Sequence, residues 1–213
     1  MKNMEGYNGI KKKVRRVTAL TEIEAEDEYR VAFGVVQLLE CMKEFPEAGK
    51  SYHIITGGAV DLLSHLQWVL LHKKKVNHLF LSCWAISGRD ILLLEKWHYQ
   101  GLIGDVEIVV GDVFPSKYTF EWQKLQQMKE AGIVRKVYKG TIHAKVMLCD
   151  CADGDKVVIE SSANCNMNPR VEQACVTVSA KLFDFYRVYF CELLDEDMMR
   201  GVAKQLVKHL RDE

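Results

Sequence analysis

The sequence predicts an α/β fold with a mixed, largely parallel β-sheet that is flanked by helices on both faces. Short apolar runs typical of buried strands alternate with segments whose apolar residues recur at helical spacing. This alternation is typical of a sheet covered on both faces by helices. The chain has 213 residues, of which 48% are hydrophobic, and this is enough for one sizeable core. We therefore expect residues 1–213 to form a single domain.

The N-terminal part of the chain contains a basic arm and a predicted helix. Residues 1–20 carry a short run of basic side chains, namely Lys11, Lys12, Lys13, Arg15 and Arg16. Such a run is usually solvated, although it can also contact nucleic-acid phosphates. Thr21 and Glu24 fit a capping box, and apolar residues then recur at helical spacing up to about Glu44. A long amphipathic helix is predicted over residues 22–44.

The middle of the chain alternates between strand and helix patterns. Strands are predicted at residues 52–56, 77–86 and 105–111, and residues 133–138 lead up to the hairpin of the C-terminal third. Helices are predicted at residues 59–73, 89–101 and 118–131. The second strand is apolar throughout, which fits a central strand buried on both faces. Gly57 and Gly58 fit a tight strand-to-helix turn, or a backbone that a phosphate can approach.

The C-terminal third begins with a predicted β-hairpin. Two apolar runs, residues 144–148 and 157–159, flank the turn-rich segment 151–155. A further strand is predicted at residues 174–179. Two helices, at about residues 181–194 and 196–211, complete the pattern.

The hairpin also carries the polar residues on which the functional prediction depends. Alternation along its first strand places His143 and Lys145 on one face. Ser162 and Asn164 follow the second strand, and the pairing brings them near the His and the Lys. An imidazole can attack phosphorus, while an ammonium and an amide can hold phosphate oxygens. Glu172 could hold the second ring nitrogen. The pattern predicts an anion site that contains a nucleophile, and it requires no metal.

The order of these residues resembles the HKD signature of the phospholipase D superfamily. The match comprises a strand at residues 174–178 and six polar residues: His143, Lys145, Asp150, Ser162, Asn164 and Glu172. In that family the His is the nucleophile and forms a phosphohistidine, the Lys and Asn bind phosphate, and the Ser and Glu support them. The resemblance implies the same roles here, with no cofactor. We assign Asp150 a supporting role, in orienting the hairpin. The family's usual Gly before the Ser is Ser161 in this chain.

The resemblance also implies an assembly. Phospholipase D-like active sites resemble paired half-sites that each supply one His-Lys-Asn set, and this sequence contains one set. It therefore implies a homodimer in which two copies of His143 face each other across a two-fold axis. One His would attack phosphorus and the other would protonate the leaving oxygen.

Four functional hypotheses follow from these observations. The first is a metal-independent phosphodiesterase, and in particular a nuclease with nucleic acid as its substrate. The second is a phospholipid phosphodiesterase or phosphatidyl transferase. The third is a phospholipase D-like module that binds phosphate or nucleic acid without cleaving it. The fourth is a subunit of a larger assembly that docks through residues 22–44.

Composition limits the class of protein further. The 29 basic and 29 acidic side chains balance, which argues against a uniformly basic nucleic-acid binder but allows a local basic cleft. The seven Cys residues show no pairing pattern of a secreted scaffold, and Cys149 and Cys151 alone are weak grounds for a metal site. No apolar run reaches the roughly 18 residues of a membrane-spanning helix. We expect a cytoplasmic protein without stable membrane insertion.

Overall fold

One mixed β-sheet organises the fold. The computed structural model describes residues 21–22, 27–32, 34–166 and 169–193. The strands of the sheet are β1 (Thr21–Glu22), β2 (Asp27–Ala32), β3 (Ser51–Thr56), β4 (Val76–Ser82), β5 (Ile103–Gly111), β6 (Lys136–Gly140), β7 (Lys145–Cys151), β8 (Lys156–Ser161) and β9 (Glu172–Val178). The helices are α1 (Val35–Cys41), α2 (Leu62–Lys73), α3 (Gly88–Tyr99), α4 (Phe114–Lys117), α5 (Thr119–Glu130) and α6 (Ala180–Leu193).

The strand order is β1-β2-β3-β9-β8-β7-β4-β5-β6. The pairs β2-β3, β4-β5 and β5-β6 are parallel, and the other five pairs are antiparallel. The prediction of a mixed sheet is therefore confirmed, whereas the prediction that it is largely parallel is wrong. The reason lies in the centre of the sheet, where β7 and β8 form a tight hairpin and a short connection leads to β9. Short connections of this kind join antiparallel strands, since parallel ones need a long crossover.

Helices cover both faces of the sheet, as predicted. On one face α2, α3 and α5 contribute to a large core that includes Leu66, Leu94 and Leu125. On the other face α6 packs on β4, β7 and β8, and the rings of Phe80 and Phe190 stack with their centroids 4.8 Å apart. None of the helices in the described ranges is long and apolar enough to cross a membrane.

The helix predicted over residues 22–44 is wrong over most of its length. Asp27–Ala32 is strand β2, paired in parallel with β3, and only Val35–Cys41 is helical. Tyr29 and Val31 favour strands and recur with a period of two, so pairing with β3 overrides the helical spacing. The fourth hypothesis loses its long docking helix as a result. The basic arm at residues 1–20 and the helix predicted at 196–211 lie outside the described residues.

The other predicted elements are confirmed, with shifts at their ends. The largest shift is in β4, which ends at Ser82 rather than at residue 86. The chain leaves the sheet there, and Ile86 instead forms an isolated parallel bridge with Cys165. His143 precedes β7, which begins at Lys145.

One edge of the sheet collects most of the polar residues singled out above. The carboxyl ends of β3, β4, β5 and β8 and the amino ends of β7 and β9 lie at this edge, as the registers Thr56 opposite Glu172 and Lys145 opposite Ser161 require. Ligands of open α/β sheets bind outside the carboxyl ends of strands. The candidate site is therefore built at this edge.

Candidate active site

His143 and Lys145 are in direct contact. Lys145 Nζ lies 2.7 Å from Nδ1 and 3.1 Å from Nε2 of the His143 ring, and it donates to the His143 carbonyl oxygen at 2.7 Å. Lys145 is only 6% exposed, whereas His143 is exposed. This contact places the ring nitrogens of His143 beside a buried cation at the edge of the sheet.

The ammonium of Lys145 is held in an unfavourable environment. Burial lowers its pKa below the usual 10.5, and the nearby Cys83 and Glu172 oppose this shift. A buried cation is costly unless an anion or hydrogen-bond acceptors compensate it. Its contacts with the His143 ring and carbonyl oxygen supply acceptors, and a bound anion would compensate it further.

Ser162 and Glu172 form a second contact at the same edge. Ser162 Oγ donates to the Glu172 carboxylate and accepts from the Gln173 N–H at 3.0 Å. Ser161, at the position where the family has Gly, donates from Oγ to the Gln173 carbonyl oxygen and accepts from the Ala163 N–H, both at 3.0 Å. The hydroxyl at this departure from the family pattern thus helps to hold the turn that follows β8.

Asn164 is fixed by the loops around it. Its Oδ1 accepts from the Trp84 N–H at 3.0 Å, and its carbonyl oxygen accepts from the Leu62 N–H at 3.2 Å. The next carbonyl oxygen, that of Cys165, accepts from the Ser87 N–H at 2.8 Å. With Oδ1 accepting from the backbone, the NH₂ group of Asn164 is the part that can donate to an anion.

Asp150 lies away from this group of residues. It is near the carboxyl end of β7, opposite Lys156 of β8 in the register, and its carboxylate accepts from Lys156 Nζ. The structure thus brings together His143 with Lys145 and Ser162 with Glu172, and it places Asn164 beside them at the same edge. Asp150 instead joins the two strands of the hairpin at its far end.

An ion cluster that the sequence did not indicate lies at the amino ends of two helices beside the site. Arg89 Nη2 lies 2.5 Å from Asp61 Oδ2 and 2.7 Å from Asp90 Oδ1, and both carboxylates are almost fully buried. Burial raises the pKa of Asp90, and the charge of Asp61 adds to this shift. The cluster joins the amino ends of α2 and α3, whose N–H groups hold Asn164 and Cys165. Asp61 and Ser64 form a capping box, and this was the local sequence signal for the position of Asp61 at the start of α2.

Three cysteines in or near the hairpin, Cys149, Cys151 and Cys165, are buried thiols. Burial raises the pKa of Cys149 and of Cys165 well above 9, and that of Cys151 to about 12. Such thiols are poor nucleophiles and poor metal ligands. In the described part of the chain, no three or more His, Cys, Asp and Glu side chains are grouped so that they could hold a metal ion.

Comparisons with known proteins identify the fold rather than a family. No family model matches the sequence, and no curated protein matches it. Among solved structures, the chain is similar to a polyphosphate kinase from Porphyromonas gingivalis, with a TM-score of 0.50 and 18% identity over 66% of this chain and 25% of the kinase. It is also similar to TrmBL2, an archaeal chromatin protein, with a TM-score of 0.48 and 12% identity over 90% and 63% of the two chains. A third similar structure is phosphatidylserine synthase from Haemophilus influenzae, with a TM-score of 0.45 and 14% identity over 70% and 38%.

The described chain thus spans about a quarter of the length of the polyphosphate kinase. At 18% identity, the similarity shows a shared fold and leaves the reaction open. The mixed α/β fold of this chain is therefore similar to that of a segment of the polyphosphate kinase.

Proposed function

We propose that this protein is a metal-independent phosphodiesterase that acts through a covalent phosphohistidine at His143. The observation that carries the proposal is the contact between the buried Lys145 ammonium and the ring nitrogens of the exposed His143. A candidate nucleophile and a candidate phosphate-binding cation thus lie side by side at the edge of the sheet where ligands of open α/β folds bind. A shared fold with a polyphosphate kinase supports phosphoryl-transfer chemistry at this edge.

The chemistry follows from these groups. Phosphate oxygens would replace the imidazole as acceptors of Lys145, which releases the lone pair of His143 to attack phosphorus. The bond between phosphorus and the leaving oxygen breaks as the new P–N bond forms, and a general acid protonates that oxygen. Lys145 and the Asn164 NH₂ group hold the non-bridging oxygens and stabilise their developing charge. Water then hydrolyses the phosphohistidine and releases a phosphomonoester.

The second copy of His143 in a homodimer would serve as the general acid. Ser162 and Glu172 would support the site from the neighbouring strands, with Glu172 placed to orient a ring nitrogen. A nucleic acid is the proposed substrate, which makes the protein a nuclease. A phosphate-binding module without turnover is the alternative, because the same cation and amide would hold an anion whether or not His143 attacks it.

The proposal is tested by cleavage of labelled single- and double-stranded DNA and RNA in excess EDTA. The chains to compare are the wild type, His143→Ala, and the control His98→Ala. His98 is a half-buried imidazole in the last turn of α3, near the opposite edge of the sheet. Rapid quenching in alkali should trap a labelled, acid-labile adduct on the wild type and on His98→Ala but not on His143→Ala.

The outcomes separate the hypotheses. Cleavage that His143→Ala abolishes and His98→Ala retains supports the phosphohistidine mechanism. Retention of a nucleic acid without cleavage favours the binding module. Hydrolysis of a phospholipid but of no nucleic acid favours the lipid enzyme. Sedimentation separates monomer from homodimer, and measuring cleavage in each fraction tests which form is active. Cleavage by the monomer contradicts the two-His mechanism.

A further inference from the structure

An aromatic ring lies beside the loop that carries His143. Residues 141–144 connect β6 to β7, and β4 and β5 lie between those strands in the sheet. The loop therefore crosses the carboxyl ends of β4 and β5. Ser82 Oγ donates to the Ala144 carbonyl oxygen at 2.9 Å, which fixes the loop on β4. The Trp84 indole rests against Gly111, which pairs with Gly140, the residue that precedes this loop.

The position of Trp84 is set from two sides. Its backbone N–H donates to Asn164 Oδ1 at 3.0 Å, and its carbonyl oxygen accepts from the Gly111 N–H at 3.2 Å. A Cβ atom at Gly111 would lie 2.6 Å from Cδ1 of the indole, so the ring rests against the end of β5 where only a glycine fits. Trp84 is therefore held from both sides, and its backbone is bonded to a residue proposed to bind phosphate.

A lysine covers this ring. The exposed Lys117 places Nζ 5.0 Å from the centroid of the half-buried Trp84 ring and 5.5 Å from that of Tyr118. Tyr118 meets the indole edge-on at 6.4 Å. A cation over an aromatic face, next to a phosphate site, combines the two features with which proteins bind single-stranded nucleic acid: backbone charge and base stacking.

We propose that Trp84 and Lys117 form a nucleobase subsite for a single-stranded nucleic acid. Lys117 turns to a phosphate that flanks the scissile one, and the indole face that it leaves stacks the adjoining base. A single strand is required because its bases can leave their neighbours and stack on protein. The Trp84 ring is half-buried, which favours a stacked base over an anchor in a lipid surface. This assignment rests on the proposed phosphodiesterase function and names its substrate class.

The test measures binding apart from cleavage. Full-length protein with His143→Ala is titrated in EDTA with a labelled oligothymidylate of about ten nucleotides, and with a strand of equal length that is abasic throughout. Trp84→Ala, Trp84→Phe, Lys117→Ala and the control Tyr99→Ala are compared on this background. Tyr99 is an exposed aromatic residue at the last position of α3, towards the other edge of the sheet.

The base-bearing strand should bind about tenfold more tightly than the abasic one. Trp84→Ala should bring this ratio close to one, Trp84→Phe should retain most of it, and Tyr99→Ala should keep it. Lys117→Ala should weaken both strands and reduce the salt dependence of binding by about one phosphate contact. Should Trp84→Ala fail to fold, the ratio on the parent chain and on Trp84→Phe still decides.

Three results would overturn the subsite. They are a parent chain that binds both strands equally, a Trp84→Ala chain that keeps the full ratio, and binding of anionic phospholipid vesicles but of neither strand. Its failure is distinguishable from failure of the proposed function. Wild-type cleavage of bis(4-nitrophenyl) phosphate without a base preference retains the phosphodiesterase and removes the subsite. A base preference without any cleavage retains the subsite and removes the phosphodiesterase.

Discussion

The two ends of strand β7 each carry one part of the HKD-like motif, and they differ in how their lysines are compensated. At the amino end, the buried Lys145 ammonium contacts the imidazole ring and the carbonyl oxygen of His143. At the far end, Lys156 pairs with the Asp150 carboxylate, and both side chains are about one third exposed, at 31% and 32%. The comparison shows that a contiguous motif can hold two unlike parts. The amino end has the features of an anion site, whereas the far end has those of a salt bridge that joins the two strands of the hairpin.

The largest expected effect comes from removing the cation at the amino end. Lys145→Met should lower kcat/KM for phosphodiester cleavage by about 10²- to 10³-fold, because one donor to the non-bridging oxygens is lost. Its free energy of unfolding should equal or exceed that of the wild type, since an apolar side chain replaces a buried charge. Steady-state kinetics and urea unfolding measure the two quantities.

Lys156→Met is the matched control on the other strand of the same hairpin. It should leave kcat/KM within about twofold and lower the free energy of unfolding by about 0–1 kcal/mol, as for exposed ion pairs. The comparison between the two ends would break if Lys156→Met impaired catalysis as strongly as Lys145→Met.

Two glycines sharpen the same comparison. Gly111→Ala places Cβ against the Trp84 indole and should cost about 1–3 kcal/mol of stability through overpacking. Because the indole must shift, kcat/KM for a nucleic-acid strand should also fall.

Gly154, in the hairpin turn, has φ +97 and open space around it. Gly154→Ala should cost about 1 kcal/mol through backbone strain while activity is retained. Equal loss of activity in both variants would contradict the distinction.

The pH dependence of stability provides a smaller effect with a defined sign. Burial lowers the pKa of Lys145 in the folded chain below the 10.5 of the unfolded chain. Between these two pKa values the unfolded state binds more protons, so this group makes stability rise with pH. The stability gained by Lys145→Met should therefore be greatest near neutrality and shrink as the pH approaches 10.5. Urea unfolding of both chains across this range measures it, and a gain that grows with pH would contradict a buried ammonium.

Local patterns predicted most of the fold, and non-local pairing accounts for what they missed. The hairpin of β7 and β8 and helices α2, α3 and α5 follow from apolar spacing and turn residues. Strand β2 was missed because its pairing with β3 joins segments whose spacing also fits a helix. The antiparallel pairs β3-β9 and β4-β7 join strands that are distant in the sequence, and no local pattern encodes them.

The same limit applies to the candidate site. His143 and Lys145 could be placed together because they are two residues apart, and Ser162 and Asn164 because a hairpin joins them to the first pair. The contact of Trp84 with Asn164 spans 80 residues along the chain, and that of Arg89 with Asp61 spans 28. Such contacts arise only when the strands are ordered in the sheet. A Trp near the end of a predicted buried strand was the local signal for the first of them.

The smallest expected effect lies at the Asp150 end. Asp150→Asn removes the charge from the pair with Lys156 but keeps an oxygen that can accept from its ammonium. The free energy of unfolding should fall by less than about 1 kcal/mol, because the partly exposed pair is screened by solvent. Cleavage should stay within about twofold of the wild type, since Asp150 lies at the opposite end of β7 from His143. A large loss of kcat/KM at unchanged stability would show that the acidic residue of the motif acts on the site through the strand. The two ends of β7 would then form one functional unit, and the purely structural role of the Asp150–Lys156 salt bridge would have to be abandoned.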